Sequence, residues 1–274
     1  MCLIIMSIQN IKIFTSIQHG HKLYTNVILY LKFNIIKVIF MKKIIIDHRT
    51  SYEEKNNLSR LKYKILECPP CLTLYQAVCG HPDMLLHIID NQRIIVHKDM
   101  PESFIENLKN LGLTVILSNS SLSSSYPFDI ILNAVSISNL FIHYTDYTDK
   151  NLLDIVSKSK KLIKVKQGYT KCSTAIVSEK AAITSDVPIA KALYDQNIDV
   201  LLLPPGDIEL PGLDYGFIGG TCGLIEENVL AFYGDLSCYA YGKDVLSFLK
   251  KHNVEPFFLR KGKLIDRGSI FTLD

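Results

Sequence analysis

The chain has 274 residues, 48% of them hydrophobic and 21% charged. This composition excludes a disordered or collagen-like chain, and the length supports a buried core without disulfides. Thirty basic residues against 27 acidic ones give a formal net charge of +3, too little to argue for a nucleic-acid partner, so none is expected.

Residues 1–40 contain Lys12, Lys22, Lys32 and Lys37 and no acid. Without them, 26 basic residues face 27 acidic ones, so the mild basicity belongs to this leader. Polar residues interrupt its apolar stretches and no small-residue cleavage site follows, unlike a signal peptide. Residues 27–40 are apolar but include Lys32, Asn34 and Lys37. A spanning helix needs about 20 apolar residues with few charges, so this is a weak candidate. At Met41 the character changes to that of an ordinary first strand. The leader is expected to lie outside the fold, with Met41 as the natural start. A membrane or interfacial anchor is the alternative for the leader, and no membrane contact is expected of the body.

From Lys43 onward, five segments share one pattern: an apolar strand, a polar break, a helix of about ten residues and a second apolar strand. In chain order the first strands are Lys43–Asp47, Arg93–His97, Leu140–Tyr144, Ala181–Thr184 and Val229–Tyr233. Their helices span 51–61, 101–111, 149–159, 187–196 and 242–252. Second strands follow at Tyr63–Leu66, Leu113–Leu117, Leu162–Val165, Val200–Leu203 and Glu255–Leu259. The strands are short and rich in Ile, Val and Leu, as strands buried on both faces are.

Local signals support the helices. Ser51-Tyr-Glu-Glu54 is a capping box. Pro101 and Pro188 fall in first turns, where a missing N–H costs little. Phe104, Leu108 and Leu111 form one apolar stripe. Gly112, Asn197 and Asn253 follow helices, where left-handed residues are common. Asp186 and Asp235 are expected to cap helices or turns. The lysines of 158–166 read as a solvated face.

An extra leading strand precedes four of the units: Met84–Ile89, Asp129–Val135, Ser173–Val177 and Phe217–Leu224. The fifth leading strand is Gly268–Leu273, at the other end of the chain from Lys43. The last strand is therefore expected beside the first, which removes a free sheet edge. The expected fold class is an α/β, five-bladed propeller of ββαβ units, its final unit closed by the two termini, over residues 41–274.

Seven scattered cysteines, an odd number, suggest a reducing, cytoplasmic setting. Cys68-Pro-Pro-Cys71 with Cys79 and His81 imitates a metal or redox cluster. The two prolines and the lack of a second Cys pair favour a turn. No metal and no cofactor is expected. Gly216-Phe-Ile-Gly-Gly220 precedes a strand rather than a helix, so it is no dinucleotide fingerprint.

This grammar resembles the pentein, or guanidine-modifying-enzyme, fold. That superfamily includes arginine and agmatine deiminases, dimethylargininases, amidinotransferases and a non-catalytic ribosome anti-association factor. Gln167-Gly-Tyr-Thr-Lys-Cys-Ser173, Gly216-Phe-Ile-Gly-Gly220 and Asp266-Arg-Gly-Ser-Ile270 resemble, more narrowly, an uncharacterised bacterial family with that fold, best known from clostridia. The resemblance covers about residues 41–274.

It implies that side chains at the starts of the leading strands face one central pocket. In the enzymes a Cys thiolate attacks a guanidinium carbon, a His moves protons, and carboxylates hold the cationic nitrogens. The enzymes carry their Cys in the final leading strand, where this chain has Ser269, a weaker nucleophile without an adjacent base. His81-Pro-Asp83 provides a His-x-Asp element, in the first complete unit rather than mid-chain. The catalytic candidates are His81, Asp83, Cys172, Cys222 and Ser269. Lys171, beside Cys172, would lower its pKa. Asn133, Gly219, Gly220 and Asp266 are the candidate substrate-binding residues. Each also has a structural reading: Asp83 as a backbone cap, Cys172 and Cys222 as buried small hydrophobes, Ser269 as a strand-start polar residue. Two functions stay open. One is a hydrolase or transferase at a C–N bond of a small cationic, guanidino-like molecule. The other is a non-catalytic binding module on the same scaffold, with a small-molecule or protein partner.

Overall fold

The computed structural model describes residues 42–273; the leader 1–40 and the start at Met41 lie outside the described residues. The elements follow in chain order: β1 (Lys43–Asp47), α1 (Tyr52–Arg60), β2 (Lys64–Cys68), α2 (Pro82–Leu85), β3 (Leu86–Ile88), β4 (Arg93–Val96), α3 (Glu102–Asn110) and β5 (Thr114–Leu117). Next are β6 (Val135–Ile137), β7 (Leu140–His143), α4 (Lys150–Val156), β8 (Lys161–Lys164), β9 (Thr174–Ser178), β10 (Ala181–Thr184), α5 (Val187–Tyr194) and β11 (Asp199–Leu202). The chain ends with β12 (Cys222–Glu226), β13 (Val229–Phe232), α6 (Gly242–Lys251), β14 (Glu255–Phe258) and β15 (Phe271–Leu273).

These strands form five three-stranded sheets: β15-β1-β2, β3-β4-β5, β6-β7-β8, β9-β10-β11 and β12-β13-β14. Each is built alike. The leading strand runs antiparallel to the middle strand, which runs parallel to the third. A helix lies between the parallel strands because such a pair needs a crossover, whereas an antiparallel pair needs only a turn. The middle strands are the most buried, with Ile44, Ile45, Ile94, Ile95, Phe141, Ile142 and Phe232 at 0% exposure. The two chain ends meet as expected: Ile45 pairs with Phe271 and Lys43 with Leu273.

Sequence signals account for the helix ends. Ser51 and Glu54 form the reciprocal capping box. Asp149 accepts from Asn151 and Leu152 N–H, Asp186 from Ile189 N–H, and Asp235 caps a short 3-10 turn through Ser237 N–H. Gly112, Asn197 and Asn253 all take positive φ.

Four of the five leading strands begin later than expected, whereas β9 (Thr174–Ser178) falls where Ser173–Val177 was expected. Residues 84 and 85 belong to helix α2, started by Pro82, and only Leu86–Ile88 is strand. Residues 129–134 are turn and irregular backbone, with strand from Val135. Ile218–Thr221 is a 3-10 turn, and β15 begins only at Phe271. Ahead of β3, β6 and β15 the polar groups bond across turns, Asp83 with Ser269 and Asn133 with Lys171 and Cys172. These pre-strand turns carry the candidate site.

All five leading strands contribute to the wall of one cavity of about 250 Å³, through His87, Ser136, Ile176, Leu224 and Phe271 among others.

Candidate functional site

Four of the five pre-strand turns meet around Asp83, which α2 holds at 1% exposure. Asp83 Oδ2 accepts from the Ser269 backbone N–H at 2.8 Å and from Ser269 Oγ at 2.6 Å. Its other oxygen, Oδ1, accepts from the Cys172 thiol at 3.3 Å. Asn133 ties the second and third turns. Its Nδ2 donates to Asp83 O at 2.9 Å and reaches Cys172 Sγ at 3.0 Å, while its Oδ1 accepts from Lys171 N and Cys172 N. A buried Asn that uses both ends of its amide locks the loops it joins.

His81 lies against this cluster at 1% exposure, and neither ring nitrogen has a hydrogen-bond partner among the described residues. Asp266 Oδ1 stands 3.6 Å from His81 Nδ1, beyond hydrogen-bond range. His81, Asp83 and Cys172 each bring one polar atom within 4.8 Å of the other two. Gly268 allows this approach: its φ is +72°, and a Cβ there would meet His81.

Asp266 is held by Phe217 N–H at 2.8 Å and by Gly268 N–H at 3.0 Å. Gly220 packs so tightly on its carboxylate that a Cβ would collide with it. Burial pushes the Asp266 carboxyl above its usual range; the His81 charge pulls it down and Asp83 adds to the rise. Asp266 also lines a cleft of about 550 Å³, with Arg49, Tyr75, Gln76 and Arg267 among its other walls. His81 thus lies just behind a carboxylate on the cleft wall.

Burial pushes the Cys172 thiol well above its ordinary pKa, and Asp83 and Asp266 push it further; the Asn133 hydrogen bond opposes them. The thiol is therefore protonated in the free protein at neutral pH. Lys171 does not activate it. Its Nζ instead donates to Ser269 Oγ at 2.7 Å and contacts Thr174 O at 3.4 Å. Ser269 consequently does have an amine beside it, which linear reading missed because 98 positions separate the pair.

Cys222 is not brought into the cluster. It packs in an apolar core, its thiol donates to Ile218 O at 3.4 Å, and burial raises its pKa to about 12. Gly219 is a packing glycine, since a Cβ there would strike the carbonyl oxygens of Lys171 and Thr174.

Two charged pairs at the cleft also escaped sequence reading. Arg49 binds Asp47 through Nε and Nη2, with Nη2 at 2.5 Å from Oδ2. Arg267 Nε binds Glu54, at 3.0 Å from Oε2. Asp47 ends the buried strand β1 and His48-Arg49 follow it directly, a signal that could have found the first pair.

Residues 45–271 match a family described as a family of unknown function, DUF6873. The chain belongs to this family. Among curated proteins no relative matches. Solved structures similar to this family member include the inosamine-phosphate amidinotransferase of Streptomyces griseus, with TM-score 0.54 and 10% identity over 85% of this chain and 93% of that one. An amidinotransferase from Microseira wollei, in the saxitoxin biosynthetic pathway, gives TM-score 0.50 and 9% identity over 80% of this chain and 88% of that one. Both neighbours are pentein-fold enzymes. At such identity the likeness concerns fold, and the site must be argued from its own residues.

Proposed function

We propose that the five sheets stand as blades around one axis, in a five-bladed α/β propeller. The shared cavity of the five leading strands and the β15–β1 pairing support this reading. We propose further that the site acts on the C–N bond of a small guanidino- or amidino-bearing molecule that enters by the cleft.

The observation that carries the proposal is the meeting of a thiol, an imidazole without a partner and a carboxylate, with a second carboxylate between them and the cleft. A planar cation between Asp83 and Asp266 would be held bidentately. It would also offset the two negative charges that help to keep Cys172 protonated, favouring the thiolate only when substrate is present. Cys172 would then pass its thiol proton to His81, and its Sγ would attack the amidino carbon. The carbon–nitrogen bond breaks, and the departing amine takes a proton from His81. Water then adds to the carbon, gives a proton to His81 and expels the thiolate, leaving a ureido product; an amine in place of water would give transfer. The amidino-transferring names of the structural neighbours support this reaction class. A second nucleophile has its own support, the Lys171–Ser269 contact, which matches a Ser–Lys arrangement.

The test screens guanidino compounds and amidines by thermal shift and by release of ammonia or ureido product. A ligand at 100 times its Kd should stabilise the protein by about 2.7 kcal/mol. Turnover lost in Cys172→Ala and His81→Ala is the expected result. Turnover that survives Cys172→Ala but not Ser269→Ala would transfer the nucleophile's role to Ser269. A shift without turnover would replace the enzyme reading with the binding module.

A further inference from the structure

His81, Asp83 and Cys172 present one nitrogen, one oxygen and one sulfur, each within 4.8 Å of the others, from two turns 89 positions apart. All three residues are at most 2% exposed. A buried imidazole normally satisfies at least one nitrogen, because an orphaned polar atom costs free energy in the interior. Among the described residues neither nitrogen of His81 has a hydrogen-bond partner, although Asp266 and the Cys172–Asp83 pair stand close by. We infer that this cluster is a binding site for a divalent transition-metal ion of the zinc class.

The donor set is the reason for that class. Sulfur with imidazole nitrogen selects zinc and its neighbours over magnesium or calcium, which require oxygen shells. Ligands at about 2.0–2.3 Å around a tetrahedral ion need only a modest contraction of the group. Three protein ligands leave a fourth position for water, and an ion held there would occupy the Cys172 sulfur and the His81 ring and so block the proposed reaction.

The surroundings fit an outer shell. Asp83 Oδ2 is fixed by Ser269 N–H and Oγ, which leaves Oδ1 to face Cys172. Asn133 Nδ2 donates to the sulfur at 3.0 Å, and Asp266 Oδ1, at 3.6 Å from His81 Nδ1, would become its acceptor if ligation draws the ring a few tenths of an ångström closer. Such partners orient ligands and raise their basicity. Binding is balanced by one proton: the Cys172 S–H bond breaks, a sulfur–metal bond forms, and H⁺ passes to solvent. Cys68, Cys71 and Cys79, the cysteines that looked most like a metal cluster in the sequence, are not members of this group.

The site shares residues with the proposed reaction, so its test reads binding alone, without substrate. Full-length protein, stripped with a chelator and kept reduced, is titrated with Co²⁺ and then with Zn²⁺. The expected result is one equivalent of tetrahedral Co²⁺ with a thiolate-to-cobalt absorption band, displaced by Zn²⁺, with about one proton released per ion. Cys172→Ser should abolish the thiolate band, and His81→Gln should weaken binding by more than about tenfold. Cys71→Ser and Cys222→Ser should leave both unchanged. Circular dichroism checks that each variant is folded; if Cys172→Ser does not fold, the His81→Gln result decides. No stoichiometric binding by the wild type, or binding unaltered in folded Cys172→Ser or His81→Gln, would overturn the inference.

Discussion

Lys171 Nζ and Ser269 Oγ lie 2.7 Å apart, at 8% and 0% exposure, and tie the third pre-strand turn to the C-terminal one. Ser269 passes the link on to Asp83 at 2.6 Å. A buried amine, a hydroxyl and a carboxyl group in series should behave as one unit.

Urea unfolding of Lys171→Met and Ser269→Ala tests that coupling. Each substitution strands a buried polar partner and is expected to cost about 1–3 kcal/mol. The double variant should cost less than the sum, with an interaction energy of about 0.5–3 kcal/mol. Additive effects would show that the contact carries no shared energy.

Gly219 and Gly220 should differ in tolerance. Gly219→Ala drives a methyl against two backbone carbonyls that cannot rotate away, and is expected to cost about 1–3 kcal/mol. Gly220→Ala meets only the Asp266 side chain, whose displacement breaks its bonds to Phe217 and Gly268 N–H but moves no backbone, so its loss should be smaller. Equal losses in denaturant midpoints would contradict this ordering.

Acid sensitivity should come from three buried histidines. Burial lowers His87 to about 3, with the His143 charge adding to the effect, and lowers His97 and His143 to about 4. His143 illustrates the neutral form: Gly168 O can only accept, so Nε2 carries the proton, and Nδ1 accepts from Thr148 Oγ1 at 2.7 Å. Each group titrates near 6.5 when unfolded, so the unfolded state binds more protons below that pH. The stabilisation is fully present above pH of about 6.5 and is lost as pH falls towards about 3–4, on the order of a few kcal/mol per residue. Unfolding free energies between pH 4 and 8 should rise with pH, and His143→Asn should flatten the slope. An unchanged slope would remove His143 from the explanation.

Thiol reactivity should be equally selective. Of the described cysteines Cys238 is exposed, whereas Cys68, Cys71, Cys79, Cys172 and Cys222 are buried. In a Cys2→Ser background, one thiol per native chain should react rapidly with an aromatic disulfide reagent, and Cys238→Ser should abolish that phase. Rapid modification of Cys172 in the ligand-free protein would contradict its burial and raised pKa.

Much of the architecture was legible in the chain itself. Repeating apolar runs separated by capped helices identify the five units, because burial on both faces demands unbroken Ile, Val and Leu. The distance between Lys43 and Leu273 in sequence is no obstacle to pairing them, since each unit elsewhere supplies a leading strand that the first unit lacks. The polar turns that bear His81, Asp83, Asn133, Cys172 and Ser269 could also be marked by position. Which of those polar groups face one another could not. Lys171 looked like the activator of its neighbour Cys172, yet its amine reaches Ser269, 98 residues away. Cys222 had the same local credentials as Cys172, but its thiol turns into an apolar core while Cys172 meets Asp83 and Asn133. Sequence periodicity reports which face of an element is buried; it carries no information on how turns from different sheets meet. That choice belongs to the tertiary structure, where each buried donor and acceptor must find a partner among groups brought together only by the packing of the sheets.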